Sequence, residues 1–169
     1  MCIPAHHRFL QVIDAKGYRA NVGIILSNDD GKVFWARRCG QDAWQFPQGG
    51  IQENETPLDA MYRELKEETG LQSSHVRLVG QTDGWLRYRI PKHLLRHRSQ
   101  PLCIGQKQIW FRLLLTGCED DFNLAASDSP EFDTWRWVDY WTPLKEIVFF
   151  KRKVYRQALH QLERCGETG

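Results

Sequence analysis

The pattern of apolar and polar positions predicts a chain built mostly of short strands. Residues 21–26 and 32–37 are apolar-rich runs on either side of the turn-forming sequence Ser-Asn-Asp-Asp-Gly, which indicates two strands joined by a hairpin. Similar runs predict three further strands, at residues 76–81, 107–115 and 135–138. The basic stretch at residues 86–101 shows no period, so we expect it to be irregular.

One segment has the period of a helix, and we predict that helix over residues 56–68. Thr56 is a suitable N-cap, and Asp59 completes a pair that resembles a capping box. Pro57 suits the first turn, and Gly70 ends the helix. Its apolar positions predict a stripe packed on the sheet, formed by Leu58, Met61, Tyr62 and Leu65. The neighbouring stripe is left free for polar side chains.

The end of the chain predicts a second helical region. Residues 143–163 are amphipathic and indicate one or two helices. The positions expected to face inward are Ile147, Val148, Val154, Ala158 and Leu159. We find no repeat or linker, so we expect one domain over residues 1–169, with an N-terminal extension at residues 1–16 and a tail at residues 160–169. This order of elements predicts an α+β fold with a mixed sheet between helices.

Charge is distributed unevenly along a chain that is nearly neutral overall. The 169 residues are 41% hydrophobic, which suits one domain with a full core. The net charge is only +2, but acids gather at residues 53–68 and bases at residues 87–98 and 151–156. This separation suits a polyanionic substrate held by bases beside a metal site.

Cysteine usage and hydropathy indicate the compartment. The five cysteines include no C-x-x-C pair, which argues against a disulfide framework and against a structural zinc site. No stretch approaches the roughly 18 apolar residues that a membrane span needs. The first residues also lack the long apolar core of a signal peptide. We therefore expect a cytoplasmic protein with no membrane partner.

Three glutamates of the predicted helix are the first candidates for chemistry. Glu64, Glu67 and Glu68 stand at i, i+3 and i+4, so their carboxylates lie on one helix face. Their repulsion costs about 0.2–0.5 kcal/mol per pair, and hard divalent cations bound between the oxygens remove that cost. We expect Mg²⁺. For the three acids alone, a solvated face paired with Arg63 and Lys66 is the better interpretation.

The surrounding residues reverse that interpretation. Nine positions stand at fixed offsets, namely Gly49, Glu55, Arg63, Glu64, Leu65, Glu67, Glu68, Gly70 and Leu71. They complete the Nudix signature, so the chain resembles the Nudix hydrolases. Gly49 and Gly50 suit a tight loop before the helix. The resemblance implies metal-assisted cleavage of a pyrophosphate linkage, with two or more Mg²⁺ ions for which Mn²⁺ can substitute.

The resemblance also implies roles for the signature residues. Gly49 and the three helix glutamates are expected to bind metal, which would lower the pKa of a bound water that acts as the nucleophile. Glu64 is our choice for the base that accepts the water's proton, and Glu67 and Glu68 stay open as alternatives. Arg63 is expected to orient a neighbouring glutamate.

Runs outside the signature narrow the resemblance to the bacterial RNA pyrophosphohydrolases. They include Gly-Tyr-Arg-Ala-Asn-Val-Gly from Gly17, Trp-Gln-Phe-Pro-Gln-Gly-Gly from Trp44 and Pro-Glu-Phe-Asp from Pro130. The similarity extends from Gly17 to about Arg156, with Ala20 standing where proline is common. Such enzymes convert the triphosphorylated 5′ end of RNA to a monophosphate, which exposes the transcript to nucleases.

This narrower resemblance assigns residues beyond the helix. Glu131 is expected to be a further metal-binding or catalytic glutamate. Substrate contacts are implied for Arg19, Arg38, Trp44, Gln48, Phe150 and Lys151, with Phe150 stacking on a base. Val148 and Phe149 have the pattern of helix core, which leaves Phe150 for that role. Alone, each of these residues is more often surface charge or core.

Two other functions stay open. A diadenosine polyphosphate hydrolase shares the signature, and only a basic track beyond the triphosphate distinguishes an RNA enzyme from it. The candidates for that track are Lys151, Arg152, Lys153 and Arg156. The other alternative is a catalytically silent Nudix binding module, against which the intact glutamates argue. We expect a monomer with no DNA partner, and a protein activator is compatible with the sequence.

Overall fold

Eight strands form one mixed sheet in the computed structural model, which describes residues 12–98 and 100–165. The strands are β1 (Tyr18–Ser27), β2 (Val33–Arg38), β3 (Trp44–Gln45), β4 (Gln48–Gly50), β5 (Val76–Gln81), β6 (Leu86–Arg89), β7 (Gly105–Leu115) and β8 (Phe132–Val138). Every strand predicted from the sequence is present, with its ends moved by no more than three residues.

β1, in which eight of the ten residues are buried, lies at the centre of the sheet. The strand order is β3-β2-β1-β7-β5, while β4 pairs with β1, β6 with β7 and β8 with β2. β1 and β7 are parallel, from Tyr18 beside Gly105 to Ser27 beside Leu114. The pairs of β1 with β2 and β4 are antiparallel, which confirms the predicted mixed sheet.

Three α-helices accompany the sheet in the described part of the chain. They are α1 (Pro57–Thr69), α2 (Pro143–Glu146) and α3 (Arg152–Leu162). α1 begins and ends as predicted. The Thr56 hydroxyl accepts a hydrogen bond from the Asp59 N–H at 3.1 Å, and Gly70, with φ of 77°, donates its N–H to the Lys66 carbonyl.

The two longer helices pack on opposite faces of the sheet. Alternate side chains of β1 point to opposite faces, so Val22 and Ile24 pack in the cluster under α1, and Ile25 packs in the cluster under α3. α1 contributes Ala60, Met61 and Leu65 to the first cluster, and α3 contributes Val154, Tyr155, Ala158, Leu159 and Leu162 to the second. Each large aliphatic side chain buried in this way contributes about 1.5–3 kcal/mol. The α+β class with a sheet between helices is confirmed.

Three positions predicted to be core are exposed, namely Leu58, Val148 and Phe149. Leu58, in the first turn of α1, is 41% exposed, and Ala60 occupies the buried stripe instead. Val148 is 42% exposed, because residues Phe149–Lys151 form a 3₁₀ turn between α2 and α3. The turn interrupts the single helical stripe that the sequence pattern implies.

Two predictions of irregular backbone are wrong. Leu86–Arg89 is the strand β6, paired with β7 through Leu86 beside Gln108 and Arg89 beside Gly105. Gln48–Gly50 is the strand β4, and neither of its glycines has a positive φ. The signature therefore begins on a strand that is held against β1, where the sequence indicates a tight loop.

The ends of the chain are described in part. Residues 1–11 of the predicted N-terminal extension and 166–169 of the predicted tail lie outside the described residues, and α3 includes the first three residues assigned to that tail. Cys39, Cys103, Cys118 and Cys165 are free thiols. In the part of the chain that the structure describes, no helix has the length and hydropathy to cross a membrane.

Candidate active site

Arg63 connects the strand before α1 to three glutamates. Its Nε and Nη2 donate to the two oxygens of Glu55 at 2.7 and 2.9 Å. Its Nη1 donates to Glu64 at 2.7 Å and to Glu67 at 3.3 Å. Nη2 also donates to the Gly50 carbonyl at 2.8 Å. Charge-assisted, bidentate bonds of this kind are strong, so Arg63 restricts the rotamers of the glutamates around it.

Glu64 and Glu68 are buried acids on α1, only 8% and 7% exposed. Burial raises the pKa of Glu64 to about 7. Burial also raises the pKa of Glu68 well above its usual range, and the negative charge of Glu64 adds to that rise. The Gln48 N–H on β4 donates to Glu68 Oε2 at 3.0 Å. Both carboxyls therefore hold a proton more readily than an exposed glutamate does, because the protein surroundings compensate their negative charge only in part.

The two glycines of β4 let charged side chains lie against the strand. A Cβ at Gly49 would overlap the Glu64 carboxylate, and a Cβ at Gly50 would overlap the Arg19 guanidinium. Because β4 is paired to β1, its backbone cannot move aside. Close approach of an acid and a base explains glycine at both positions.

Glu131 brings a fourth acid to this region from the start of β8. Its Oε1 accepts from Arg38 Nε at 2.8 Å, and its carbonyl accepts from the Cys39 N–H at 2.9 Å. The negative charge of Glu131 contributes to the raised pKa of Glu68. We use the name acidic site for Glu64, Glu67, Glu68 and Glu131.

Lys151 is a buried cation beside the acidic site. Burial lowers the pKa of its amine to about 8, and the positive charge of Arg38 acts in the same direction, while Glu131 and Glu68 oppose the shift. Its Nζ lies 5.7 Å from the centre of the Tyr88 ring. Lys151 and Arg38 therefore place two positive charges next to Glu131.

A network of amide side chains lies beside β4 and includes Asn21, which the sequence does not single out. Asn21 Nδ2 donates to Gln106 Oε1 at 2.9 Å, and Gln108 Nε2 donates to the same oxygen at 3.2 Å. Gln108 Nε2 also donates to Gln48 Oε1 at 3.3 Å. Gln48, predicted to contact substrate, is thus held on both sides, by this network and by its N–H bond to Glu68. The parallel pairing of β1 with β7 brings Asn21 beside Gln106 and Gln108, residues far apart in the sequence, so the sequence alone does not predict the network.

Arg19, Phe150 and Trp44, which are also predicted to contact substrate, lie outside the amide network. Arg19 Nε is buried and has no hydrogen-bond partner among the described residues. Phe150 is half-buried, with its ring 5.9 Å from that of Tyr88. Trp44 packs against the core under α3, and Arg136 covers its ring at 4.2 Å. Trp44 thus has the contacts of a structural residue.

Phe149 corrects another prediction. The helical pattern assigns it to the core, but its side chain is 65% exposed. The cause is the 3₁₀ turn, which directs Lys151 inward and leaves Phe149 at the surface. We call Phe149–Lys151 the aromatic turn.

The oxygens of the acidic site fit a hard divalent cation. The candidate donors are the carboxylates of Glu64, Glu67, Glu68 and Glu131 and the carbonyl of Gly49, the ligand type that such ions prefer. Within residues 12–98 and 100–165, no three His, Cys, Asp or Glu side chains form a ready-made metal cluster. Arg63 and Arg38 hold three of the four carboxylates in ion pairs. A divalent cation would relieve the repulsion between the buried acids.

Comparison with known families agrees with this geometry. Residues 17–158 match the family model described as NUDIX domain, a range that includes the signature, Glu131 and the aromatic turn. The chain belongs to the Nudix family. The family predicted from the spacing of nine residues is confirmed.

Bacterial Nudix relatives are similar over most of their length. A protein of Thioalkalivibrio sulfidiphilus named RNA pyrophosphohydrolase is 64% identical over 151 residues, which are 89% of this chain and 87% of the relative. A protein of the same name from Methylococcus capsulatus is 60% identical over 158 residues, 94% of this chain and 83% of the relative.

Solved Nudix-like structures share the fold. Escherichia coli dihydroneopterin triphosphate pyrophosphohydrolase aligns with a TM-score of 0.66 at 22% identity, covering 84% of this chain and 95% of that one. The Caenorhabditis elegans Ap4A hydrolase aligns with a TM-score of 0.60 at 17% identity, covering 82% and 93%. At such identities the likeness shows the fold alone.

Proposed function

We propose that this Nudix protein is an RNA 5′-pyrophosphohydrolase. It converts 5′-triphosphorylated or diphosphorylated RNA to 5′-monophosphorylated RNA and so initiates mRNA decay. One observation carries the proposal: the acidic site lies beside the cations Arg19, Arg38 and Lys151. Acids that hold metal next to bases that hold phosphate suit a terminal polyphosphate. Two relatives named for this activity are 64% and 60% identical to the chain.

The acidic site would hold the divalent ions that Nudix enzymes use. When bound there, such ions polarise the phosphate and lower the pKa of a bound water. We assign metal binding to the four glutamates and to the Gly49 carbonyl. Glu64 is our proposed base, since Arg63 holds its carboxylate in place against β4. Glu67 and Glu68 are the alternatives.

The cations would bind the polyphosphate. Lys151, with a pKa of about 8, is mostly protonated at neutral pH and supplies a positive charge with little competition from water. Arg19 contributes a positive charge from a guanidinium that lies against Gly50, close to Glu64. Arg38 reaches the same region through its ion pair with Glu131. Phe150 is the proposed surface for a base, whereas Gln48 and Trp44 act by shaping the site.

A dinucleoside polyphosphate is the second candidate substrate. The acids and the three cations would contact phosphate only, and that part of the site serves either substrate. RNA is favoured by the exposed cations Arg152, Lys153 and Arg156 on α3, which continue the positive charge beyond Lys151.

Several further properties belong to the same proposal. We infer that Mg²⁺ is the working ion, with Mn²⁺ as a substitute, because both prefer oxygen ligands. We infer that residues 1–169 form one domain and act as a monomer in the cytoplasm, with a protein activator compatible with this arrangement. A silent binding module is disfavoured because all three helix glutamates are intact.

The test is a comparison of two substrates in the presence of Mg²⁺. The rates on a short 5′-triphosphorylated RNA and on diadenosine tetraphosphate are measured side by side, with Glu67→Gln as the inactive blank. A higher kcat/KM on RNA is expected. Faster cleavage of the dinucleotide would move the function to nucleotide clearance. No activity on either would leave a silent Nudix module.

A further inference from the structure

We propose that Phe149 and Phe150 form a two-sided aromatic corner that binds two successive bases of a single-stranded RNA. Phe150 takes one base, and Phe149 takes the next base away from the triphosphate. The inference rests on the proposed function and adds a second base subsite to it. Its substrate class is a 5′-polyphosphorylated RNA with at least three nucleotides.

The exposure of Phe149 is the first observation. At 65% it is the most exposed of the large hydrophobic side chains in the described residues, and its neighbour Val148 is 42% exposed. A single exposed apolar residue is ordinary. Two adjacent ones, at the start of a turn that also contributes Lys151 to a charged site, indicate a surface that binds a flat, apolar group.

The position of the turn is the second observation. Lys151, two residues after Phe149, lies among Arg38, Glu131 and Glu68. The Lys151 N–H donates to the Val148 carbonyl at 3.0 Å, which closes the turn and fixes its direction. The exposed ring is therefore held a short distance from the groups that would bind the triphosphate. RNA leaving that position passes the aromatic turn.

The relative orientation of the rings is the third observation. The centres of the Phe149 and Phe150 rings are 5.5 Å apart, and their planes are at 87°. Tyr88 packs on one side of Phe150, which supports that ring from the core. Rings at right angles cannot sandwich one base, but each can stack with a separate base. Sequence-tolerant stacking of this kind is typical of proteins that bind single strands.

The charge around the turn favours a nucleic acid over another apolar partner. Arg152 and Lys153 follow the turn directly and are exposed, and Arg89 is exposed on β6, the strand that carries Tyr88. A stacked strand places its phosphates at the edge of the bases, where cations can reach them. A dimer surface or a protein partner would gain less from such a rim of single-sign charge.

The experiment uses RNA with 2-aminopurine, whose fluorescence is quenched by stacking, at the second or third nucleotide of a 5′-triphosphorylated tetranucleotide. Binding is measured with Mg²⁺ in the Glu67→Gln protein, so that the RNA stays intact. In that background we compare Phe149→Leu, which keeps apolar volume without a ring, and Phe149→Trp, which keeps a ring. Leu78→Ala, an exposed apolar position on β5, is the matched control.

We expect Phe149→Leu to abolish the quenching at the third nucleotide and to weaken binding of the tetranucleotide about tenfold, or about 1.4 kcal/mol. Phe149→Trp restores both, and Leu78→Ala changes neither. Quenching at the third nucleotide that persists in Phe149→Leu would overturn the proposal. So would a concentration-dependent dimer, seen in sedimentation, that Phe149→Leu dissociates. Turnover of RNA by the unmodified protein, measured alongside, shows separately whether the proposed function fails.

Discussion

Lys151 places the aromatic turn beside the acidic site, but the two features are held in different ways. Arg63 donates one hydrogen bond each to Glu64 and Glu67 and is itself anchored by Glu55 and the Gly50 carbonyl, and Glu64 and Glu68 are buried against β4. The aromatic turn is held through Lys151 and Phe150, while Phe149 is exposed. The difference indicates that catalysis and substrate choice depend on separate parts of the site. Chemistry depends on a fixed helix face, and substrate choice depends on a turn that can vary without disturbing it.

Replacement of Glu67 by glutamine should have the largest effect. The side chain is half-exposed, so the fold persists, but one charged ligand is lost. We expect hydrolysis of RNA and of diadenosine tetraphosphate to fall by more than about a hundredfold, beyond the loss typical of outer-shell changes. Steady-state kinetics checks this, with Asp30→Asn in the distant hairpin as the acid-to-amide control. Retained activity would remove Glu67 from the metal site.

Arg63→Lys also changes the acidic site and should slow the hydrolysis of both substrates. Lysine keeps the charge but cannot bond both oxygens of Glu55 while reaching Glu64. We expect kcat/KM to fall about 10- to 100-fold on both substrates and the Mg²⁺ requirement to rise. A Mg²⁺ titration measures both changes, and Lys66→Ala on the exposed side of α1 is the control. A loss confined to one substrate would contradict the separation of catalysis from substrate choice.

Removal of metal should make the protein less stable as pH rises. The pKa of Glu64 in the folded protein, about 7, is above the usual 4.5, so the folded state binds the proton more tightly and stability falls as pH rises from 5 to 7. Glu64 alone accounts for about 2 kcal/mol over that window. The raised pKa of Glu68 changes stability in the same direction. Lys151, with a pKa of about 8, changes the pH dependence of stability only above neutral pH.

Urea unfolding at pH 5 and pH 7, with EDTA or with Mg²⁺, measures this dependence. Glu64→Gln should reduce the slope, and Mg²⁺ should stabilise the protein more at pH 7 than at pH 5. A metal-free protein that becomes more stable between pH 5 and pH 7 would show that ionisation of Glu64 and Glu68 does not destabilise the fold.

Phe150→Ala should have the smallest effect and should separate the substrates. Loss of one stacking surface should lower kcat/KM on RNA about tenfold. Little change is expected on diadenosine tetraphosphate, because its phosphates are bound by the cations. Since Phe150 also packs on Tyr88, Phe150→Leu is included to keep the core filled. Equal losses on both substrates would remove Phe150 from base stacking.

The acidic helix could be predicted from the sequence because its signals are local. Thr56 and Gly70 lie at its two ends, and Glu64, Glu67 and Glu68 share a face by helical spacing alone. Strand predictions succeeded for the same reason, since alternation of apolar residues acts over a few positions.

The remaining features depend on contacts between distant segments. Gly49 and Gly50 are poor strand formers, and β4 exists because β1 pairs with it. Tyr88 is the buried residue of β6, a strand too short and too basic to show a period. The apolar spacing places Phe149 in the core, which is wrong because such spacing does not distinguish a 3₁₀ turn from a continued helix.

The most direct test of this separation of catalysis from substrate choice is a ratio of two kcat/KM values, that on triphosphorylated RNA divided by that on diadenosine tetraphosphate. The ratio is measured for Arg63→Lys and for Phe150→Ala. We predict that Arg63→Lys lowers both values and leaves the ratio within about twofold of the wild type, while Phe150→Ala lowers the ratio about tenfold. A ratio that shifts in Arg63→Lys, or one that does not shift in Phe150→Ala, would contradict the separation of chemistry from substrate choice.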